Sequence, residues 1–96
     1  MKVTELQARQ GNVSIALTIK EKGNIRQFDR FGNVGRVCTA IAFDETGTIQ
    51  LTLWNDQIDL VKDGSKVMVK NGYVGEWQGE LQLSTGKFGK LEILES

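Results

Sequence analysis

The stretch "IQLTLWNDQIDLVKDG" (residues 49–64) is the most informative about the fold, because its pattern predicts a half-buried strand joined to a short helix. Apolar and polar residues alternate in its first part, with Leu51 and Leu53 on one side and Trp54 on the other, which is typical of a strand with one buried face. The following "NDQIDLVKDG" begins with helix-capping residue types and stops at Gly64, which predicts a short helix. The stretch therefore predicts a strand followed by a helix, with a tryptophan on the polar face of the strand.

Further strands are predicted on both sides of this unit. "VSIALTIK" (residues 13–20) and "RVCTAIAF" (residues 36–43) precede it, and a long strand with one or two shorter strands follows it. The predicted class is all-β: a small five-stranded barrel with a short helix between strands 3 and 4, which is the order of the oligonucleotide/oligosaccharide-binding (OB) fold. An SH3-like barrel is the alternative, although it accommodates the helix less well. With no proline and no low-complexity segment, residues 1–96 are predicted to form a single OB-fold domain.

The composition excludes several classes of function. Lysine and arginine number 12 and aspartate and glutamate also number 12, so the net charge is zero, which argues against a protein that holds nucleic acid by charge alone. Histidine is absent and Cys38 is the only cysteine, so histidine-based catalysis and a cysteine metal cage within one chain are excluded. We expect no enzymatic activity, no metal and no cofactor. No apolar leader or membrane span is recognisable, and the sequence predicts a cytoplasmic, nucleoid-associated protein.

The polar stretch "EKGNIRQFDRFGNVG" (residues 21–35) allows two interpretations. Arg26 and Arg30 are interleaved with Phe28 and Phe31, and such a loop could grip a ligand. The alternative is a long, twisted hairpin with one phenylalanine tucked under it. The residues of this stretch alone do not decide between the two.

Tyr73 and Trp77 are predicted to point to one face of the fourth strand, since they lie four residues apart. Val69 shares their parity, so one face would have to be core at its start and exposed at its end. A bulge at Asn71-Gly72 would resolve this, because it flips the alternation beyond it. The alternative is a tight hairpin turn at Asn-Gly.

Trp54, Tyr73 and Trp77 then form a candidate platform on one exposed surface. Stacking on an aromatic ring contributes roughly 1 to 3 kcal/mol per base and tolerates any sequence, so three rings could hold a single-stranded nucleic acid without net charge. The alternative is that each ring caps an end of the barrel. Candidates for phosphate or auxiliary contacts are Arg26, Arg30, Phe31, Arg36, Lys70, Lys87 and Lys90.

The runs "DETGTIQLTLW" and "NGYVGEWQGELQL" carry a resemblance to a known family. They closely resemble the OB domain of archaeal single-stranded-DNA-binding proteins and the related small OB subunit of the eukaryotic SOSS complex, and the likeness extends over nearly the whole chain. The resemblance implies three base-stacking aromatics at Trp54, Tyr73 and Trp77. Tyrosine stands where some relatives have tryptophan, and tryptophan stands where others have phenylalanine, and both changes keep a stacking face.

The resemblance further implies that the chain binds and protects single-stranded DNA in replication and repair. We expect a monomer, with replication and repair proteins as candidate partners. Single-stranded RNA is expected to bind more weakly. Relatives commonly carry a partner-recruiting tail after the OB domain, so partner recruitment is not carried over to these 96 residues. Two alternatives use the same exposed surface: a protein-interaction module with the aromatics as hot spots, and an oligosaccharide-binding module.

Overall fold

The computed structural model describes residues 2–85 and 89–95, with the side chains of Arg30, Asn33 and Trp77 outside the description. A single turn of 3-10 helix at Val3–Glu5 precedes the first strand. The remaining elements, in chain order, are β1 (Val13–Arg30), β2 (Asn33–Asp44), β3 (Gly47–Trp54), α1 (Asp56–Leu60), β4 (Lys66–Trp77), β5 (Glu80–Ser84) and β6 (Lys90–Glu95).

The strands form a closed barrel in the order β1-β2-β3-β5-β4, which closes because β4 also pairs with β1. The β3–β5 pair is parallel and the other pairs are antiparallel. β6 is additional to these five strands and pairs with the first half of β4. The predicted OB-fold barrel with a short helix between strands 3 and 4 is confirmed, and β6 extends its sheet.

The interior is filled by every second residue of the strands, as the alternation predicts. Branched side chains dominate it, and together they form one apolar cluster with Ile58 of α1 and Leu6. Its strand members include Val13, Ile15, Leu17, Ile19, Ile49, Leu51, Leu53, Val67, Val69, Val74 and Leu83.

Among residues 2–85 and 89–95, no helix has the length and apolar character needed to cross a bilayer.

The helix is shorter than the sequence predicts, because it ends at Leu60 rather than near Gly64. Val61 is fully buried with an extended backbone, so burying this side chain competes with continuing the helix. The Nζ of Lys22 donates to the carbonyl of Ile58 at 2.9 Å and so satisfies one of the groups left free at the helix end. A tertiary contact therefore sets the helix length.

The polar stretch at residues 21–35 is part of a long hairpin, as the second interpretation predicts, but Phe28 is partly exposed and Phe31 is exposed, so neither is tucked under it. Contact of this stretch with a ligand stays a prediction. β1 is 18 residues long, and its distal part continues to pair with β2 up to the Arg30–Asn33 pair. Phe31 and Gly32 form the two-residue turn with φ angles of 54° and 81°, the backbone of a type I′ hairpin. We call residues 25–30 and 33–38 the arm.

A bulge in β4 reverses which side chains face the core, as predicted. Opposite β1, Val69 pairs with Ile15 and Gly72 pairs with Val13, so three steps on β4 match two on β1. Asn71 has a φ of 53° at this irregularity. A Cβ on Gly72 would lie 2.7 Å from a methyl group of Val69, so the bulge needs glycine at this position. The bulge interpretation is confirmed, and the strand continues without a hairpin turn at Asn-Gly.

Candidate nucleic-acid interface

An open groove of about 570 Å³ crosses the outer face of the barrel and the base of the arm. It runs over all five barrel strands, so residues far apart in sequence share one surface. Its lining residues are Arg26, Gln27, Phe28, Val37, Thr39, Thr52, Trp54, Tyr73, Gly75, Gln82 and Ser84.

Trp54 ends β3 in the groove with 39% of its surface exposed. Its backbone N–H donates to Oε1 of Gln57 at 3.1 Å, and the Nε2 of Gln57 donates to the hydroxyl of Thr85 at 3.1 Å. Gln57 lies in the first turn of α1, so the strand-to-helix connection holds the tryptophan backbone in place. The end of β3 at Trp54 is therefore supported by the helix, and the tryptophan ring remains accessible.

Phe28 of the arm packs edge-on against Trp54, with ring centroids 5.9 Å apart and planes at 83°. Such edge-to-face geometry is favourable between aromatic rings. Phe28 pairs across the strands with Gly35, and its ring occupies the space that a side chain at Gly35 would need. Glycine at this position therefore allows the ring to lie across the arm and reach Trp54.

Tyr73 lies on the part of β4 that follows the bulge and is 46% exposed. It lines the same groove as Trp54, so the structure brings these two predicted platform residues together. Tyr73 pairs with Ser84 and Gly75 pairs with Gln82 on β5. The nearest atom to a Cβ built on Gly75 is a backbone oxygen 3.9 Å away, so the surface beside Tyr73 is open.

The predicted basic contacts are not all in the groove. Arg26 lines it, and it is the one lysine or arginine among the described lining residues. Lys70 pairs with Glu92 at 3.0 Å, and Lys90 lies opposite Lys70 on β6, outside the groove. Phe31 is 96% exposed at the tip of the arm. The side chains of Arg30 and Trp77, and the whole of Lys87, lie outside the described residues.

Arg36 forms a two-point contact with Asp59 of α1, at 2.8 Å and 3.4 Å, and is not among the groove-lining residues. The hydrogen bond and charge of Arg36 lower the pKa of Asp59, and the same pair raises the pKa of Arg36. Its backbone N–H also donates to Oδ1 of Asn55 at 3.0 Å. Arg36 thus has a structural partner that ties β2 to the start of the helix.

Several groove residues were not among the predicted contacts. Thr39, Thr52, Gln82 and Ser84 supply hydroxyl and amide groups from β2, β3 and β5. The period-two alternation already places Thr52 on the polar side of its strand, and this is the signal that could have identified such residues. The contact between Phe28 and Trp54 depends on strand pairing and could not be found from spacing.

A known family matches nearly the whole chain. The family described as "Single-stranded DNA binding protein Ssb-like, OB fold" matches residues 5–93 of the chain. The chain belongs to this family. The match includes every described residue of the groove.

Relatives of this Ssb-like chain include the single-stranded DNA binding protein Ssb of Saccharolobus solfataricus, which is 30% identical over 90 residues. The alignment covers 94% of this chain and 61% of that protein, and another curated relative, from Arabidopsis thaliana, is covered over 54%. The chain thus spans about three fifths or less of these two relatives.

Solved structures of other proteins share the fold of this chain. A crystal structure of a replication protein A domain from Methanococcus maripaludis is 29% identical, with a TM-score of 0.79 over 100% of this chain and 96% of that one. The solution structure of a hypothetical protein from Arabidopsis thaliana, at 24% identity, shares the fold with a TM-score of 0.85 over 100% of this chain and 73% of that one.

Proposed function

We propose that this chain binds single-stranded DNA with little regard to sequence, by stacking bases on exposed aromatic rings. The observation that carries the proposal is the alignment of Phe28, Trp54 and Tyr73 along one open groove, with substantial exposed surface on each ring. Trp77, the remaining residue of the platform predicted from the sequence, stays a prediction. Membership of the Ssb-like family and the name of the Saccharolobus relative support the same ligand.

Stacking, rather than charge, supplies most of the affinity in this proposal. The chain has a net charge of zero, and Arg26 is the one cationic side chain among the described groove residues. Each phosphate neutralised on a single strand contributes a slope of about −0.7 to the dependence of log K on log salt. We therefore expect a shallow salt dependence, together with a large loss of affinity when a ring is removed.

The cellular role that follows is protection of exposed single strands during replication and repair, without catalysis. Replication and repair proteins are the expected partners, and the protein is expected to act as a cytoplasmic monomer. Single-stranded RNA should bind more weakly. The proposed contacts do not use the 2′-hydroxyl, the group by which a protein distinguishes RNA from DNA, so the difference in affinity is expected to be small.

The test is a titration of intrinsic tryptophan fluorescence with oligo-thymidine, using a duplex of equal length as control. Quenching by the single strand alone, weakening modestly with salt, is the expected result. The variant Trp54→Phe keeps a stacking ring but leaves Trp77 as the only tryptophan, so any remaining quenching reports on Trp77. Absence of quenching by oligo-thymidine at micromolar protein would contradict DNA binding.

A peptide-binding module in the same groove is the second candidate. It is favoured by the zero net charge, since a peptide needs no cationic surface, whereas a phosphate backbone does. Exposed aromatic side chains are the residues most enriched at energetic centres of protein interfaces. A protein that ignored oligo-thymidine in the titration above would direct attention to this candidate.

A further inference from the structure

Three polar side chains on the outer face of β3 and β5 form a hydrogen-bonded chain. The Nε2 of Gln50 donates to Oε2 of Glu80 at 2.7 Å, and the Nε2 of Gln82 donates to Oε1 of Gln50 at 2.9 Å. Gln50 and Gln82 are direct neighbours in the parallel β3–β5 pairing. The chain therefore crosses from β5 to β3 and returns to β5.

The carboxylate of Glu80, at one end of the hydrogen-bonded chain, determines in which direction each of its hydrogen bonds is donated. An ionised carboxylate only accepts hydrogen bonds, so Gln50 must turn its amide nitrogen towards Glu80. Its oxygen then faces Gln82, which must in turn present its nitrogen to Gln50. Gln82 is left with a free carbonyl oxygen, since no described residue donates a hydrogen bond to it.

Gln82, which ends the hydrogen-bonded chain, lies in the groove, whereas Gln50 and Glu80 line a separate hollow. Gln82 is half-buried, and it pairs with Gly75, which follows Tyr73 by two residues on β4. Gly75 carries no side chain that could fill the space between Tyr73 and Gln82. A flat ring stacked on Tyr73 has room to bring its edge towards Gln82.

We propose that the carbonyl oxygen of Gln82 accepts a hydrogen bond from the edge of the base that stacks on Tyr73. This inference rests on the proposed function. A phosphate has no donor to offer this oxygen, so the amide favours a base at this place over the backbone. Each DNA base carries an N–H donor on its pairing edge, so the contact tolerates sequence.

The same contact distinguishes single strands from duplexes. In a duplex the pairing edge of each base is already hydrogen-bonded to the opposite strand, and only an unpaired strand can turn this edge to a protein. Stacking recognises the face of a base, and Gln82 adds recognition of the edge. The subsite therefore contributes to a preference for unpaired DNA beyond that from stacking.

The test compares the affinity for oligo-thymidine with that for oligo-(N3-methylthymidine), which lacks the N3–H donor. Both affinities are measured for the unaltered protein and for Gln82→Met. One neutral hydrogen bond changes affinity by roughly three- to tenfold. Methylation should weaken binding to the unaltered protein by this factor more than it weakens binding to Gln82→Met. Gln7 is not among the groove-lining residues, so Gln7→Met serves as the matched control. This variant should keep the full effect of methylation.

Glu80→Gln tests whether the carboxylate fixes the direction of the hydrogen bonds between Glu80, Gln50 and Gln82. A neutral amide can donate as well as accept, so Gln82 would no longer be held in one orientation, and the methylation factor should fall between those of the unaltered protein and Gln82→Met. The factor is a ratio for each protein, so the loss of a negative charge near DNA cancels. An equal factor in the unaltered protein and Gln82→Met, with oligo-thymidine still bound, overturns this inference. Failure of the unaltered protein to bind oligo-thymidine would instead contradict the proposed function.

Discussion

The two parts of β1 show how one strand serves two purposes. Between Val13 and Ile19 every second side chain is buried in the barrel, whereas residues 23–29 are all exposed in the distal part of the strand. Phe28, from the exposed part, reaches Trp54, and none of the described side chains in the arm's β1 segment belongs to the core cluster. Burial is therefore concentrated in the barrel part, and we expect that ligand contacts can be changed in the exposed part with little effect on folding.

The sharpest test of this separation uses two isoleucines on the same strand. Ile15 is fully buried, whereas Ile25 is 51% exposed. Ile15→Ala should lower the free energy of unfolding by about 2 to 5 kcal/mol, because it leaves a cavity in the core. Ile25→Ala, the matched control, should change it by no more than about 0.5 kcal/mol. Urea denaturation of both variants gives the answer, and similar losses would show that the arm shares the stability of the barrel.

Removing the exposed ring of Trp54 should affect binding more than folding. Trp54→Ala is expected to weaken binding of oligo-thymidine by roughly 1 to 3 kcal/mol, the contribution of one stacked base. Phe43→Ala is the matched control, since Phe43 is 38% exposed on β2 but does not line the groove. Binding by fluorescence anisotropy, together with thermal denaturation of both variants, separates the effects. An unfolded Trp54→Ala protein would show that the ring supports the core.

The sequence predicts the barrel part better than the arm for a physical reason. Burial on one face imposes a period-two pattern on residues 13–19 and 49–53, and this pattern is readable without the structure. In the β1 segment of the arm, residues 25–29 are all exposed, so no alternation separates a hairpin from a loop. The bulge at Asn71-Gly72 was predictable because the buried and exposed residues on either side of it required a change of face.

The candidate site is predictable only where a residue breaks the pattern of its own strand. Trp54 on a polar face is such a break. The pairing of Arg36 with Asp59 joins residues 23 apart in sequence, and the position of Phe28 depends on Gly35 across the hairpin. Such contacts come from strand register and helix placement. Residue types in one segment do not encode them.

The end of the barrel that contains the β2–β3 turn should respond to acid through Asp44. Burial raises the pKa of this carboxyl, but hydrogen bonds from Thr46, Val3 and Gly47 outweigh burial and lower the pKa to about 2. The folded state then binds fewer protons than the unfolded state, where an aspartate has a pKa of about 3.9. The stabilisation is complete above about pH 4 and is lost as the pH falls towards 2.

Asp44→Asn isolates this contribution. The amide cannot accept at both positions as the carboxylate does, where the N–H of Val3 donates to Oδ2 at 2.9 Å and the N–H of Thr46 donates to Oδ1 at 2.7 Å. The variant should be less stable by on the order of 1 kcal/mol at pH 6, after allowance for solvent screening of a partly exposed group. Denaturant titrations from pH 6 to pH 2 should show the two proteins converging below pH 4. A constant difference over this range would contradict the assignment.

The smallest expected effects separate two arginines of the arm. Arg26 lines the groove, whereas Arg36 is engaged by Asp59. Arg26→Gln should reduce the magnitude of the salt slope for oligo-thymidine binding by about 0.7, the value for one phosphate contact. Arg36→Gln should leave the slope unchanged and lower the melting temperature slightly, because its partner is a carboxylate of α1. If Arg36→Gln also reduced the slope, DNA would have to displace Asp59 from the guanidinium, and the arm would then carry a phosphate contact that is masked in the free protein.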